Sequence, residues 1–294
     1  MGLIEKAMDK LATSAAAAPV AEARAFTPFA LDFDRLRAQG VFGPHASTQT
    51  QAYELRAVKR RLLRRIGLLQ RAGRDRRQLT AEGRTRNLVL FTSTRPGEGK
   101  TFSAINLAVS LALEEALPVT LIDGDAARPK VRSYFGLPAE AGLPDRLREP
   151  KLPLSAICRL ADKAPLTVIG EGSRVDNATE LYSSPHAKRF FTEISALHPN
   201  GVVIIDAPPM LAATESIALA RLADEIIFVI EADATPQPAV AAALEEVVDL
   251  NPNVSLLLNR CLIPAGGAHY GAYEYYEKRP APDASAEAAT GDIP

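Results

Sequence analysis

"LVLFTSTRPGEGKTFSAINLAVSLALEEA", residues 88–116, decides how the chain folds. Its first six residues are apolar or β-favouring with no polar alternation, the pattern of a strand covered on both faces. Its last fifteen, from Phe102, carry apolar residues at three- and four-residue steps and predict a helix. Between them lies "TRPGEGKT", residues 94–101, which matches the phosphate-loop pattern GxxxxGK[ST] except that Thr94 stands at the first glycine. The physics of such a loop survives that change. Gly97 and Gly99 let backbone N–H groups turn inward around a phosphate, and the helix N-terminus adds its partial positive charge. Lys100 can reach the outer phosphates, and Thr101 can ligate Mg²⁺. Glu98 and Phe102, inside and just after the loop, complete the candidate nucleotide-binding set.

Outward from this unit the same alternation repeats. "PVTLID", "LTVIG", "GVVIIDAP", "EIIFVIEA" and "VSLLLN" are short β-rich runs separated by helical stretches. This predicts an α/β fold: a doubly wound, mostly parallel sheet of P-loop NTPase type with helices on both faces. Ligands of such sheets bind at the carboxyl ends of the strands, and three carboxylates stand there. "VTLIDGDAARP" ends a strand on Asp123 and Asp125, and "VVIIDAPP" ends another on Asp206. Each alone is equally a cap or turn residue. Together with the loop they form a magnesium–nucleotide site, with Thr101, Asp123, Asp125 and Asp206 as the metal set. Asn259, closing "LLLNR", carries an amide able to read an adenine edge.

Three segments are expected. Residues 1–50 read as a short N-terminal helix and a flexible linker, residues 51–263 as the catalytic domain, and residues 264–294 as a flexible tail. Within the domain, residues 53–77 form a basic amphipathic helix. Leu55, Val58, Leu62, Leu63, Ile66 and Leu69 line one face, and ten Arg and Lys side chains crowd the rest. Such a helix either packs on the core with its other face in water or meets a subunit, a partner or an anionic membrane.

Composition narrows the function classes. A formal net charge of -1, with no interleaving of aromatic and basic residues, argues against a nucleic-acid partner. Cys158 and Cys261 lack the spacing of a zinc site or a disulfide framework, which fits a reducing compartment. No run approaches the ~20 apolar residues of a membrane span. Charged residues break up the opening "MGLIEKAMDKL" where a signal peptide needs an apolar core.

One feature has no use in a plain nucleotide switch. Tyr270, Tyr273, Tyr275 and Tyr276 are four of the seven tyrosines of the chain, where composition predicts about 0.2 for a window of that size. With this cluster, "TSTRPGEGKT", "VTLIDGDAARP", "VVIIDAPP" and "NATELYSSPHAKRFF", the chain resembles the bacterial tyrosine kinases of exopolysaccharide and capsule synthesis. "DxDxARP", "NATEL" and "LIEKAMDKL" are most similar to the stand-alone kinases of exosortase-linked (PEP-CTERM) exopolysaccharide loci.

The resemblance implies an autokinase that uses ATP and Mg²⁺ to phosphorylate its own tyrosine tail, often on a neighbouring subunit of a homo-oligomer. Lys100, Asp123 and Asp125 become the catalytic residues, Asp206 joins the metal shell, and the four tail tyrosines become acceptors. It also implies a cytoplasmic protein held at the inner face of the membrane by a chain-length determinant or adaptor, with a tyrosine phosphatase as counter-enzyme. Arg56 and Lys59 fall on the family's oligomerisation motif ExxRxxR, where Tyr53 replaces the glutamate. Ala127 occupies the first arginine position after DxD, with Arg128 beside it. The rival on the same fold is a partition-type switch ATPase. Its second loop lysine is Arg95 here, and Pro96 replaces the glycine that follows. A non-catalytic nucleotide-binding regulator of an export complex is the other alternative.

Overall fold

The computed structural model describes residues 26–41, 49–68, 79–81 and 83–261; for residues 49–53 it describes the backbone. Met1–Asn259 makes one compact unit and Arg260–Pro294 a second, of which Arg260 and Cys261 are described. The opening helix, Leu69 and the basic residues 71–77, and the four tail tyrosines lie outside the described residues.

Eight strands form one sheet: β1 (Thr27–Phe29), β2 (Leu88–Ser93), β3 (Val119–Asp123), β4 (Cys158–Ala161), β5 (Leu166–Ile169), β6 (Val202–Asp206), β7 (Glu225–Glu231) and β8 (Val254–Asn259). Their spatial order is β1-β4-β5-β3-β6-β2-β7-β8. All neighbours are parallel except β4 and β5.

The unbroken apolar runs follow from the pleat, because successive residues of a strand face opposite sides. Leu88, Leu90, Ile122, Val203, Ile205, Ile226 and Phe228 enter one core. There they meet α5 (Leu143–Arg148), α6 (Leu154–Ile157), α7 (Ala178–Tyr182), α8 (Pro185–Leu197), α9 (Glu215–Ala220) and α10 (Gln237–Leu250). Val89, Phe91, Val119, Leu121, Val202, Ile204, Ile227 and Val229 enter the other core. That one is covered by α1 (Phe33–Ala38), α2 (Gln49–Arg65), α3 (Lys100–Glu114) and α4 (Val131–Phe135). Among the described residues, no helix is long and apolar enough to cross a membrane.

The structure departs from the expected fold in three places. The basic helix expected over residues 53–77 runs Gln49–Arg65 and gives way to a turn at Ile66 and Gly67. Residues 26–41, inside the stretch expected to be a linker, form β1 and α1 and bury Phe26, Leu31, Leu36 and Val41. A three-residue strand and a six-residue helix are too short to carry a period, and their apolar residues fall about five apart. β4 was likewise unread, because "CRLA" is four residues long and pairs antiparallel through a tight return to β5.

Candidate active site

The chain leaves β2 for α3 and reaches β3 by crossing over β6, which sits between them. The crevice at the carboxyl ends of these strands is the switch point of the sheet. Asp123 and Asp206 are register partners on adjacent parallel strands, so their side chains leave the same face about 4.8 Å apart along the ladder. The pleat puts Asp206 with Val202 and Ile204, and Asp123 with Val119 and Leu121, on the side that α3 covers. The first turn of α3 brings Lys100 and Thr101 to the same place.

The polar groups interlock. Lys100 Nζ donates to Asp125 Oδ2 at 2.8 Å and lies 3.5 Å from Asp206 Oδ1. Thr101 Oγ1 donates to Asp206 Oδ2 at 2.6 Å. Asp123 accepts from the Asp125 N–H at 3.2 Å and, on its other oxygen, from Lys130 and Val131 N–H at 2.9 Å each. The Arg128 N–H caps Asp125 at 3.0 Å. All four ionisable side chains are buried. Burial works against the Lys100 charge, but Asp206, Asp125 and Asp123 outweigh it and hold its pKa above the ordinary lysine value. Burial, and then the neighbouring Asp206 charge, pushes the Asp123 carboxyl well above the carboxylate range. Asp206 is also raised by burial, against the pull of Lys100 and Thr101.

Three carboxylates face one lysine, and Asp206 Oδ1 is buried without a hydrogen-bond partner. That excess of hard oxygen donors fits a divalent cation. Among the described residues, no three acidic, His or Cys side chains gather tightly enough to hold a metal alone. Mg²⁺ does not need them to, since it commonly takes one or two protein oxygens and fills its shell with water and phosphate. Thr101 and Asp206, already in contact, are the pair best placed to hold it, with Asp123 and Asp125 alongside.

The loop is held from behind. Gly97 and Gly99 take φ of +98° and +91°, left-handed values that a Cβ disfavours. Glu98 is buried and accepts from the Arg95 N–H at 2.9 Å and from the Thr235 hydroxyl. Asn259 Nδ2 donates to the Glu98 carbonyl at 2.9 Å. Asn259, expected to read an adenine edge, thus also acts as a latch on the loop. Sequence reasoning missed Thr235, whose contact with Glu98 spans 137 residues and leaves no local signal. Phe102 follows Thr101 on α3, its ring 3.4 Å from where a Cβ on Gly40 would sit.

The oligomerisation pair divides. Arg56 is exposed on α2, whereas Lys59 is 1% exposed and bonds Glu114 at 2.6 Å, with Glu115 at 3.4 Å. Lys59 thus ties α2 to the end of α3 and presents no charge to a second copy, a correction to its expected role. Tyr182, in "NATELY", is also buried; desolvation and then Asp123 raise its phenol further above the normal range, which rules it out as an accessible acceptor.

No protein-family model matches the chain. Tyrosine-protein kinase YwqD of Bacillus subtilis is 32% identical over 188 residues, covering 64% of this chain and 76% of that protein. Putative tyrosine-protein kinase EpsB of Ralstonia nicotianae is 29% identical over 213 residues, 69% of this chain but 28% of its own length. Among solved structures, the VpsO kinase domain superposes with a TM-score of 0.58 at 26% identity, covering 74% of this chain and 100% of that one. A phosphate loop, paired strand-end aspartates and these likenesses converge: the chain belongs to the bacterial tyrosine-protein kinases, P-loop enzymes that move a phosphoryl group from a nucleotide to tyrosine.

Proposed function

We propose that the protein is an ATP- and Mg²⁺-dependent autokinase that phosphorylates Tyr270, Tyr273, Tyr275 and Tyr276 on a neighbouring copy, and thereby regulates exopolysaccharide synthesis, chain length or export. The observation that carries this reading is the register match of Asp123 and Asp206 beneath Lys100 and Thr101, which builds a charged, buried site at the mouth of the loop. The catalytic body is taken as residues 51–263, joined by the ordered elements at 26–41, and the substrate segment as residues 264–294.

Bound Mg²⁺ would supply charge neutralisation on the transferring phosphates. The rest falls to the chain's own groups. Backbone N–H groups of residues 97–101 and the N-terminus of α3 cradle phosphate, and Lys100 leaves Asp125 to follow the charge that develops on the outer phosphate. A tyrosine hydroxyl titrates near pH ~10 and is a weak nucleophile at neutral pH. The loose transition state of phosphoryl transfer reduces the need for early deprotonation, so positioning dominates. Asp123 or Asp125 is the carboxylate that accepts the tyrosine proton.

The setting follows from the resemblance: a cytoplasmic protein at the inner face of the membrane, held by a chain-length determinant or adaptor and reset by a tyrosine phosphatase. The test is to incubate the purified chain with ATP and Mg²⁺, with and without the cytoplasmic ends of such an adaptor, and to map phosphate by mass spectrometry. Phosphate on the tail, lost in Lys100→Met, is the expected result. ATP hydrolysis without tail labelling in either condition would replace this reading by the switch ATPase, and binding without turnover by the regulatory module.

A further inference from the structure

We infer that residues 26–41 are a positioning strap for the catalytic carboxylate, with Arg35 and Gln39 as the residues through which it acts. The inference rests on the reading of Asp123 as part of the reacting site. It starts from the helix that holds Asp123. α4 is five residues long, and one turn of helix is marginal on its own. The N–H groups of its N-cap residue Lys130 and of its first residue Val131 are the donors on Asp123 Oδ2. If α4 loosens, Asp123 loses the contacts that fix its rotamer.

The other end of α4 presents the Ser133 carbonyl, which accepts from the Gly136 N–H at 3.3 Å, and the Tyr134 carbonyl, and a helix terminus leaves such groups room for further partners. The strap supplies them from a distance of about a hundred residues in sequence. Arg35 donates from Nε and Nη2 to the Ser133 carbonyl, each at 3.3 Å. Gln39 donates to the Tyr134 carbonyl at 3.1 Å. A guanidinium at a helix C-terminus also complements the helix dipole. Gly136, at φ +68°, ends α4, and a Cβ there would stand 3.0 Å from the Arg35 guanidinium, so the two elements meet without a gap.

The strap is itself anchored at both ends. β1 pairs with β4, the Leu31 N–H donates to Asp162 at 2.8 Å, and Phe29 packs edge-on against Phe135 of α4 at 5.9 Å. Asp32 caps α1 by accepting from the Asp34 and Arg35 N–H groups. At the far end Gly40, left-handed at φ +78°, lies against the Phe102 ring, one residue past Thr101. One sixteen-residue segment therefore touches the helix behind Asp123 and the helix that carries Thr101. Its buried Leu31, Leu36 and Val41 would be served by any apolar packing; the two polar contacts on α4 carbonyls are what aim it at the site.

The experiment uses the full chain and compares Arg35→Ala, Gln39→Ala, the double variant and Arg35→Lys. The double variant is expected to lower kcat for phosphotransfer about tenfold while KM for ATP moves less than about twofold, since the strap acts on the reacting carboxylate rather than on nucleotide binding. Arg35→Lys, which keeps a donor and the charge, should recover most of what Arg35→Ala loses. Hydrogen exchange at the Lys130 and Val131 amides should quicken about tenfold in the double variant. Unchanged exchange together with kcat within twofold of wild type would overturn the inference, as would a kcat loss that merely tracks a fall in Tm and is not recovered by Arg35→Lys. Asp123→Asn separates the two layers: if it keeps full activity while exchange still quickens in the strap variants, the strap holds α4 but the assignment of Asp123 fails. Should the double variant not fold, Gln39→Ala with the same exchange readout decides.

Discussion

Gly99→Ala offers a test of the loop geometry that can be worked out in advance. Gly99 sits at φ +91°, where an L-residue is strained by about 1–2 kcal/mol. The added Cβ would stand 2.1 Å from Asn259 Nδ2, which forces that amide off the Glu98 carbonyl. Loss of one neutral, part-buried hydrogen bond costs about 1 kcal/mol. Gly99→Ala should therefore destabilise by about 2–3 kcal/mol, and Asn259→Ala by about 1 kcal/mol through the same bond. In the double variant the clash is gone and the bond is lost only once, so the total should stay near 2–3 kcal/mol and fall short of the sum by about 1 kcal/mol. Urea unfolding of the four proteins without nucleotide measures the cycle. Strict additivity would refute the argument, because it would mean that Asn259 and Gly99 do not share the contact. A Gly99→Ala cost below about 0.5 kcal/mol would refute the left-handed strain as well.

Other perturbations follow from single contacts. Arg84 grips the buried Asp224 with two hydrogen bonds, at 2.8 and 2.6 Å, at the strand ends away from the nucleotide loop; Arg84→Ala should cost about 3 kcal/mol in chemical denaturation, and no loss of stability would contradict the pairing. Lys59→Met keeps the length of a buried side chain whose partners Glu114 and Glu115 are half exposed, so stability should move by less than about 1 kcal/mol and the sedimentation profile not at all; dissociation of an assembly would restore Lys59 to an intersubunit role. Burial holds the His198 pKa below its usual 6.5. Its contribution to stability is thus present above pH 6.5 and is lost as pH falls through the lowered value. Asp123 and Asp206, raised by burial, have the opposite slope, so the histidine effect is isolated as the difference between wild type and His198→Gln across that window, and equal slopes would count against it.

The parts legible in the sequence were those in which one residue type does one job. β2, the loop and α3 are contiguous, so a strand run, two glycines and a lysine announced them together. The carboxylates were legible as strand ends that gather with the loop at one site, but the register Asp123↔Asp206 was not, because it depends on β6 being inserted between β2 and β3. Lys59 misled for a physical reason. On a helix crowded with arginines it looks like one more surface cation, and only the packing of α2 on α3 reveals that it faces inward. Asn259 was legible as an amide with a free choice of partners, but its contact with the Glu98 carbonyl was not, since that contact spans 161 residues. Residues 26–41 were passed over because their elements are shorter than any period, and their role lies in contacts to residues 133, 134 and 162.

Under the proposed function the site around Lys100 phosphorylates the tyrosine tail of another copy, and a mixing experiment decides between transfer within and between chains. A chain carrying Lys100→Met with its tail intact is combined with a chain whose Tyr270, Tyr273, Tyr275 and Tyr276 are all changed to Phe, in labelled ATP and Mg²⁺ with the adaptor ends present. Each alone should stay unlabelled on the tail, and the mixture should place phosphate on the tail of the Lys100→Met chain. A mixture that stays unlabelled while the wild-type chain labels its own tail would contradict transfer between copies; a wild-type tail that also stays unlabelled would contradict the autokinase itself.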